Sequence, residues 1–190
     1  MKAQIFAFFI LMISTFTIAG QDVLTVGDKA PSFKAIADDG STWDINKFLG
    51  KKIIVVYFYP AAMTGGCTKQ ACSYRDHKDD FKTAGAEVVG ISGDRVENLR
   101  LFKGAENLNF TLLSDEKGDI AKAFGVPLSD GGAIKRTVGG AEHELVRGVT
   151  AKRWTFIIGK NRKIIYKNES VNAENDPAEV LNFIKLQAKK

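Results

Sequence analysis

The sequence predicts an α/β fold: a mixed central β-sheet flanked by helices and preceded by a β-hairpin. Three observations carry this reading. The runs Ile53–Tyr59 and Glu87–Ser92 are apolar without alternation, as strands buried on both faces are. Helical segments follow them, which implies parallel pairing in the core. A hairpin pattern near the end, Trp154–Ile158 and Lys163–Lys167 around Gly159 to Arg162, makes the sheet mixed.

The elements follow in order. After a lead-in over Gln21–Pro31, Phe33–Ala37 and Ser41–Asp44 flank Asp38-Asp39-Gly40, a hairpin turn signal. Ile53–Tyr59 is stopped by Pro60, and Thr64 to about Ala84 reads as one helix closed by Gly85. Glu87–Ser92 is the second buried strand. Asp94 with Glu97 resembles a capping box and opens a helix to about Glu106. Thr111–Leu113 is a short strand, and Asp119–Phe124 a short helix ended by Gly125. Asp176 as N-cap, Pro177 at the first helical position and Glu179 open a last helix to about Ala188. This order fits a thioredoxin-like fold. The glycine-rich segment Pro127–Thr150 fits no regular element and is expected to be a surface excursion or irregular hairpin.

Composition bounds the rest. The chain has 190 residues, 45% hydrophobic and 26% charged, which excludes collagen, disordered and polytopic membrane classes. Two cysteines are too few for a disulfide scaffold. The net charge of +5 comes from scattered basic pairs such as Lys51-Lys52 and Lys135-Arg136, so nucleic acid is not an expected partner.

Residues 1–20 have a different character. Lys2 precedes an apolar run from Ile5 to Ala19 that Ser14, Thr15 and Thr17 interrupt, and Ala19-Gly20 supply small residues for cleavage. The run of about 15 residues is short for a membrane span of ~20. Residues 1–20 are therefore expected to be a signal peptide, with an uncleaved anchor as the alternative. Residues 21–190 would form the mature domain, exported to the periplasm or secreted, with no stable membrane insertion after cleavage. The chain is expected to be a monomer or a weak dimer.

The chemistry concentrates between Pro60 and Cys72. The buried strand runs through Pro60-Ala61-Ala62-Met63-Thr64-Gly65-Gly66 to Cys67 and into a helix. Cys67 thus falls in a first helical turn, where unpaired N–H groups and the positive dipole end favour a thiolate. Thr64 sets a hydroxyl one turn before the sulfur. Cys72 lies five residues on, about 8–9 Å away between Cα atoms by helix geometry. A disulfide needs less than ~7 Å, so the pair can join only if the helix unwinds locally. The residues alone leave open a copper-binding role for Cys67, Cys72 and His143, and a non-catalytic binding domain.

The stretch Tyr57-Phe58-Tyr59-Pro60 through Cys67 to Cys72-Ser73-Tyr74-Arg75-Asp76 resembles a peroxiredoxin active site. Pro60, Thr64 and Cys67 match Pro-x-x-x-Thr-x-x-Cys, and the second cysteine five residues later is similar to the peroxiredoxin Q, or bacterioferritin comigratory protein, subfamily of AhpC/TSA type. The likeness runs from Gly27-Asp28-Lys29-Ala30-Pro31 to Arg153-Trp154-Thr155-Phe156-Ile157-Ile158. It implies that Cys67 is the peroxidatic cysteine and Cys72 the resolving one. Pro60 would shield the pocket, Thr64 would hydrogen-bond peroxide and thiolate, and Arg153 would sit beside the thiolate. It also implies a peroxide substrate, an intramolecular Cys67–Cys72 disulfide, a thioredoxin-like dithiol reductant, and no metal or organic cofactor. Gly65-Gly66 stands where the subfamily usually has Pro-Gly, and Gln70 where Glu is common. His77 is expected at the surface. Arg75 either supports the active-site loop or makes a surface ion pair, and Tyr59 and Trp154 are core residues that could line the pocket.

Overall fold

The computed structural model describes residues 23–188. The expected 1–20 signal segment lies outside the described residues. The strands are β1 (Lys34–Ala37), β2 (Thr42–Asp44), β3 (Ile53–Phe58), β4 (Ala86–Ser92), β5 (Thr111–Ser114), β6 (Leu128–Val138), β7 (Ala141–Ala151), β8 (Thr155–Ile158) and β9 (Ile164–Asn168). The helices are α1 (Gly65–Asp76), α2 (Lys78–Thr83), α3 (Val96–Ala105), α4 (Asp119–Ala123) and α5 (Asp176–Gln187). No helix among the described residues is long and apolar enough to cross a membrane.

Among the described residues, seven strands form one sheet in the order β2-β1-β5-β4-β3-β8-β9. β3, β4 and β5 pair in parallel, and β1 and β8 join them antiparallel. The thioredoxin-like mixed sheet read from the sequence is therefore the observed one. β3 explains why its sequence shows no alternation. Val56 and Phe58 pack with Trp43, Phe124 and Phe156 on one face. Val55 and Tyr57 pack with Tyr74, Phe81, Leu99, Phe102 and Val180 on the other. Helices α1, α2, α3 and α5 cover this second face, and α4 with a 3-10 turn at Ile45–Lys47 covers the first.

Four expectations need correction. The single helix expected over Thr64–Ala84 is broken at His77, whose ring Nδ1 lies 2.8 Å from the Ser73 carbonyl and whose N–H already points back at Ser73. Asp94 does not cap α3, which begins after Arg95. Asp176 is the first residue of α5, with Asn175 in the cap position. In both cases the acidic side chain turns into the protein instead.

The fourth correction is the segment Pro127–Thr150. It forms a regular hairpin in which β6 and β7 pair over eleven residues each, joined by Gly139-Gly140. Both turn glycines have positive φ, 60° and 85°, as a tight two-residue β-turn requires. The other glycines that obscured the pattern serve close backbone approach. A Cβ at Gly131 would collide with the Arg147 and Gly148 carbonyls, and one at Gly148 with the Glu116 carbonyl.

The hairpin docks on the loop that follows β4. Gly148 N–H donates to the Gly93 carbonyl at 2.9 Å, and Asn98 Nδ2 donates to the Val146 carbonyl at 2.7 Å. A Cβ at Gly93 would strike the Val149 carbonyl. Gly93→Ala should therefore cost about 1–3 kcal/mol of unfolding free energy through overpacking, read by urea denaturation. An unchanged midpoint would show that the hairpin does not bear on this loop.

Candidate active site

The site is built where β3 ends. The chain leaves β3 at Phe58, passes half-buried Pro60 and enters α1 at Gly65. Cys67 is the third residue of that helix and only 2% exposed. The loop before it is held by a carboxylate. Asp94, buried beyond the end of β4, accepts the Ala62 N–H at 2.8 Å and the Ser92 hydroxyl at 2.8 Å through Oδ2. Met63 adopts a left-handed backbone, φ 56°, which costs a non-glycine residue about 1–2 kcal/mol. Its carbonyl accepts from Arg136 Nε at 2.8 Å, so the hairpin reaches over and pins the strained turn.

Arg153 arrives from the connection between β7 and β8. Its Nη2 donates to Cys67 Sγ at 3.2 Å, and its Nη1 donates to Gln70 Oε1 at 2.6 Å. Gly66 leaves room for this approach, because a Cβ there would stand 3.3 Å from Nη2. Gln70 is fully buried one turn after Cys67, and its Nε2 donates to Asp176 Oδ2 at 2.8 Å. The same oxygen accepts from the Tyr74 hydroxyl at 2.7 Å and the Thr155 hydroxyl at 2.9 Å. The Arg153 guanidinium thus contacts the sulfur at the start of a helix, where the first-turn N–H groups and the dipole also favour negative charge.

The sequence-expected residues divide. Cys67 and Arg153 are in direct contact. Thr64 caps α1 in extended conformation, but its hydroxyl donates to the Ala61 carbonyl at 2.9 Å and so commits its proton within the loop rather than to the sulfur. Cys72 lies on the same continuous helix, half-buried, with its thiol 3.6 Å from Glu106 Oε2. Both cysteines are free. Burial pushes the Cys72 thiol up, the Arg75 guanidinium opposes this, and the Glu106 carboxylate adds to it. Arg75 pairs with Asp76 and also donates to the Glu106 backbone carbonyl at 2.6 Å, tying α1 to the end of α3 beside Cys72. His143 sits in β7 opposite Arg136, away from the cysteines in sequence and element. Tyr59 and Trp154 are buried core residues.

Sequence reasoning missed Asp94 and Asp176 as parts of the site, because an acidic residue before a helix first suggests a cap. The available signal was their place: each follows or precedes a buried strand or apolar helix, where an uncapped acid must find other donors.

The fold and the site define a thiol-based redox protein of thioredoxin-like architecture, with a buried cysteine set against an arginine. A model of the AhpC/TSA family matches residues 26–167, and the chain belongs to that family. It is 41% identical over 157 residues to a putative peroxiredoxin of Mycobacterium tuberculosis, across 83% of this chain and 92% of that one. It is 39% identical over 165 residues to peroxiredoxin Bcp of Escherichia coli, across 87% and 98%. Among solved structures it is similar to peroxidoxin BcpB of Mycobacterium tuberculosis, with TM-score 0.71, 30% identity, and 86% and 97% of the two chains covered.

Burial pushes the Asp94 carboxyl up from its ordinary value of 3.8, against the lowering effect of its Ala62 and Ser92 donors. A carboxyl raised in the folded state holds a proton that the unfolded chain has already released. Its contribution to stability is thus full below about 3.8 and is lost as pH rises through the folded-state pKa. Asp94→Asn removes that dependence. The unfolding free energy of wild type minus that of Asp94→Asn, from urea titrations, should fall as pH rises above about 4. A difference that grows with pH would contradict a buried, raised carboxyl.

Proposed function

We propose that the chain is a thiol-dependent peroxidase that reduces hydrogen peroxide and organic hydroperoxides. The observation that carries this is the 3.2 Å contact from Arg153 Nη2 to a buried Cys67 sulfur in the first turn of α1. The peroxiredoxin names of its relatives at 41% and 39% identity support it.

The Cys67 thiolate attacks one peroxide oxygen. The O–O bond breaks, the sulfur is oxidised to a sulfenic acid, and the other oxygen leaves as water or an alcohol after taking a proton. Arg153 holds the attacking sulfur and faces the charge that moves onto the peroxide oxygens. Pro60 shields the pocket, and Thr64 fixes the loop through its bond to the Ala61 carbonyl. Cys72 then attacks the Cys67 sulfenic sulfur, forming the disulfide and releasing water. A thioredoxin-like dithiol regenerates both thiols by exchange and leaves as a disulfide.

The two cysteines share one intact helix, so the second step requires α1 to unwind. Cys67→Ser should abolish peroxide consumption. Cys72→Ser should still form the sulfenic acid, trapped by a dimedone-type reagent, and lose turnover with a dithiol donor. Hydrogen exchange across 68–76 should rise on oxidation of wild type. Equal sulfenic acid formation by both variants would refute the division of labour.

We also propose that the chain is exported and loses residues 1–20. Intact mass from the native compartment should show a mature chain beginning near Gly20 or Gln21. A chain retaining Met1 in an extracytoplasmic fraction would mean an anchor instead.

A further inference from the structure

The Arg153 guanidinium carries donors and no acceptor. Alone it could rotate about its long side chain, and its contact with Cys67 would be one of several. Gln70 prevents this by accepting from Nη1 while Nη2 reaches the sulfur. A glutamine, however, has two ends, and the wrong one would set an N–H against the guanidinium.

Asp176 removes that freedom. Its Oδ2 receives the Tyr74 hydroxyl, the Thr155 hydroxyl and Gln70 Nε2. With all three groups donating to it, Oδ2 is the acceptor that faces Gln70 Nε2, while Oδ1 is buried with no hydrogen-bond partner. The Gln70 amide is forced from both sides: its nitrogen must face Asp176 and its oxygen must face Arg153. The chain of contacts runs from the first residue of α5 through α1 and β8 to the sulfur, and all three donor side chains to Asp176 are buried.

We propose that Asp176 is a positioning residue for the peroxidatic site, orienting Gln70 so that Arg153 stays aimed at Cys67. This rests on the peroxidase reading above. It also makes positions 70 and 176 a matched pair. A carboxylate at 70 would still suit Arg153 but would set its second oxygen against Asp176 Oδ2, acceptor on acceptor.

The test measures Cys67 in reduced protein by two rates: oxidation by hydrogen peroxide in stopped flow, and alkylation by iodoacetamide, which needs no peroxidase activity. Asp176→Leu and Gln70→Glu should each slow both rates about tenfold, the loss of about 1.4 kcal/mol. Adding Asp176→Asn to Gln70→Glu should bring both back to within about threefold of wild type, because the new amide can donate to the new carboxylate. A purely structural Asp176 predicts no such rescue. Asp176→Leu reacting at wild-type rates, or a double variant as slow as Gln70→Glu alone, would overturn the proposal. If Asp176→Leu does not fold, the Gln70→Glu pair decides. Wild type that alkylates as expected but leaves peroxide unconsumed would defeat the peroxidase reading, and the alkylation rates would still judge Asp176.

Discussion

A nearly buried sulfur at a helix start, with one guanidinium against it, is the constraint from which the rest of the site follows. Water cannot solvate it, so protein donors must. The chain meets this with one guanidinium from the connection between β7 and β8, set against the start of α1. Each donor then has to be held. The Ala61–Thr64 loop that aims the helix start is gripped by buried Asp94 and by Arg136 from the hairpin. The guanidinium is gripped by Gln70, and Gln70 by buried Asp176. Two carboxylates thus stand behind a site meant for an anion. Each is itself surrounded by donors, and burial pushes both upward in pKa, which lessens the repulsion they would exert on the sulfur.

On the proposed mechanism, the contacts that prepare the first chemical step oppose the second. Gln70 and Tyr74 lie on α1 between and beyond the two cysteines, and both donate to Asp176. Unwinding α1 to join Cys67 and Cys72 must release Gln70 at least, and a buried hydrogen bond to a charged group contributes about 1.5–3 kcal/mol. The helix is also tied at the Cys72 side by Arg75 to the end of α3. In its favour, the helix starts with two glycines, breaks early at His77 and makes few apolar contacts through its exposed face. Reduced, it is a fixed platform. On the proposed mechanism, that platform has to give way before the two cysteines can join.

Much of this was legible in the sequence, for identifiable reasons. β3 showed itself because a strand buried on both faces needs an unbroken apolar run, and Ile53–Tyr59 supplies one. Cys67 showed itself because strand, proline, glycine pair and helix leave few places for the residue to go. Arg153 was reachable only through resemblance, since nothing local marks an arginine eighty-six positions from its sulfur. Asp94 and Asp176 were misread for the opposite reason: local pattern gave them a sufficient role as caps, and only the tertiary fold shows that their donors come from α1, β8 and the loop at Ala62. Thr64 stands at the helix start, but the destination of its hydroxyl proton, the Ala61 carbonyl, is not a property of sequence spacing.

The hairpin of β6 and β7 extends this reasoning. Glycines at 131, 132 and 148 made it look irregular, yet two of them allow backbones to approach where any Cβ would collide. Such closeness has a consequence for the site. β7 is bonded to the loop holding Asp94, and β6 carries Arg136 to the Met63 carbonyl, so the ribbon braces the loop before Cys67 directly at Met63 and through Asp94 at Ala62. A left-handed methionine two residues before a helix start is a strained arrangement, and strain persists only where the surroundings over-determine it. The ribbon supplies that excess of constraint. Gly65-Gly66, which by itself predicts a looser entry to α1, is thereby offset from outside the loop, by contacts that an inspection of the Pro60–Cys72 segment alone does not reveal.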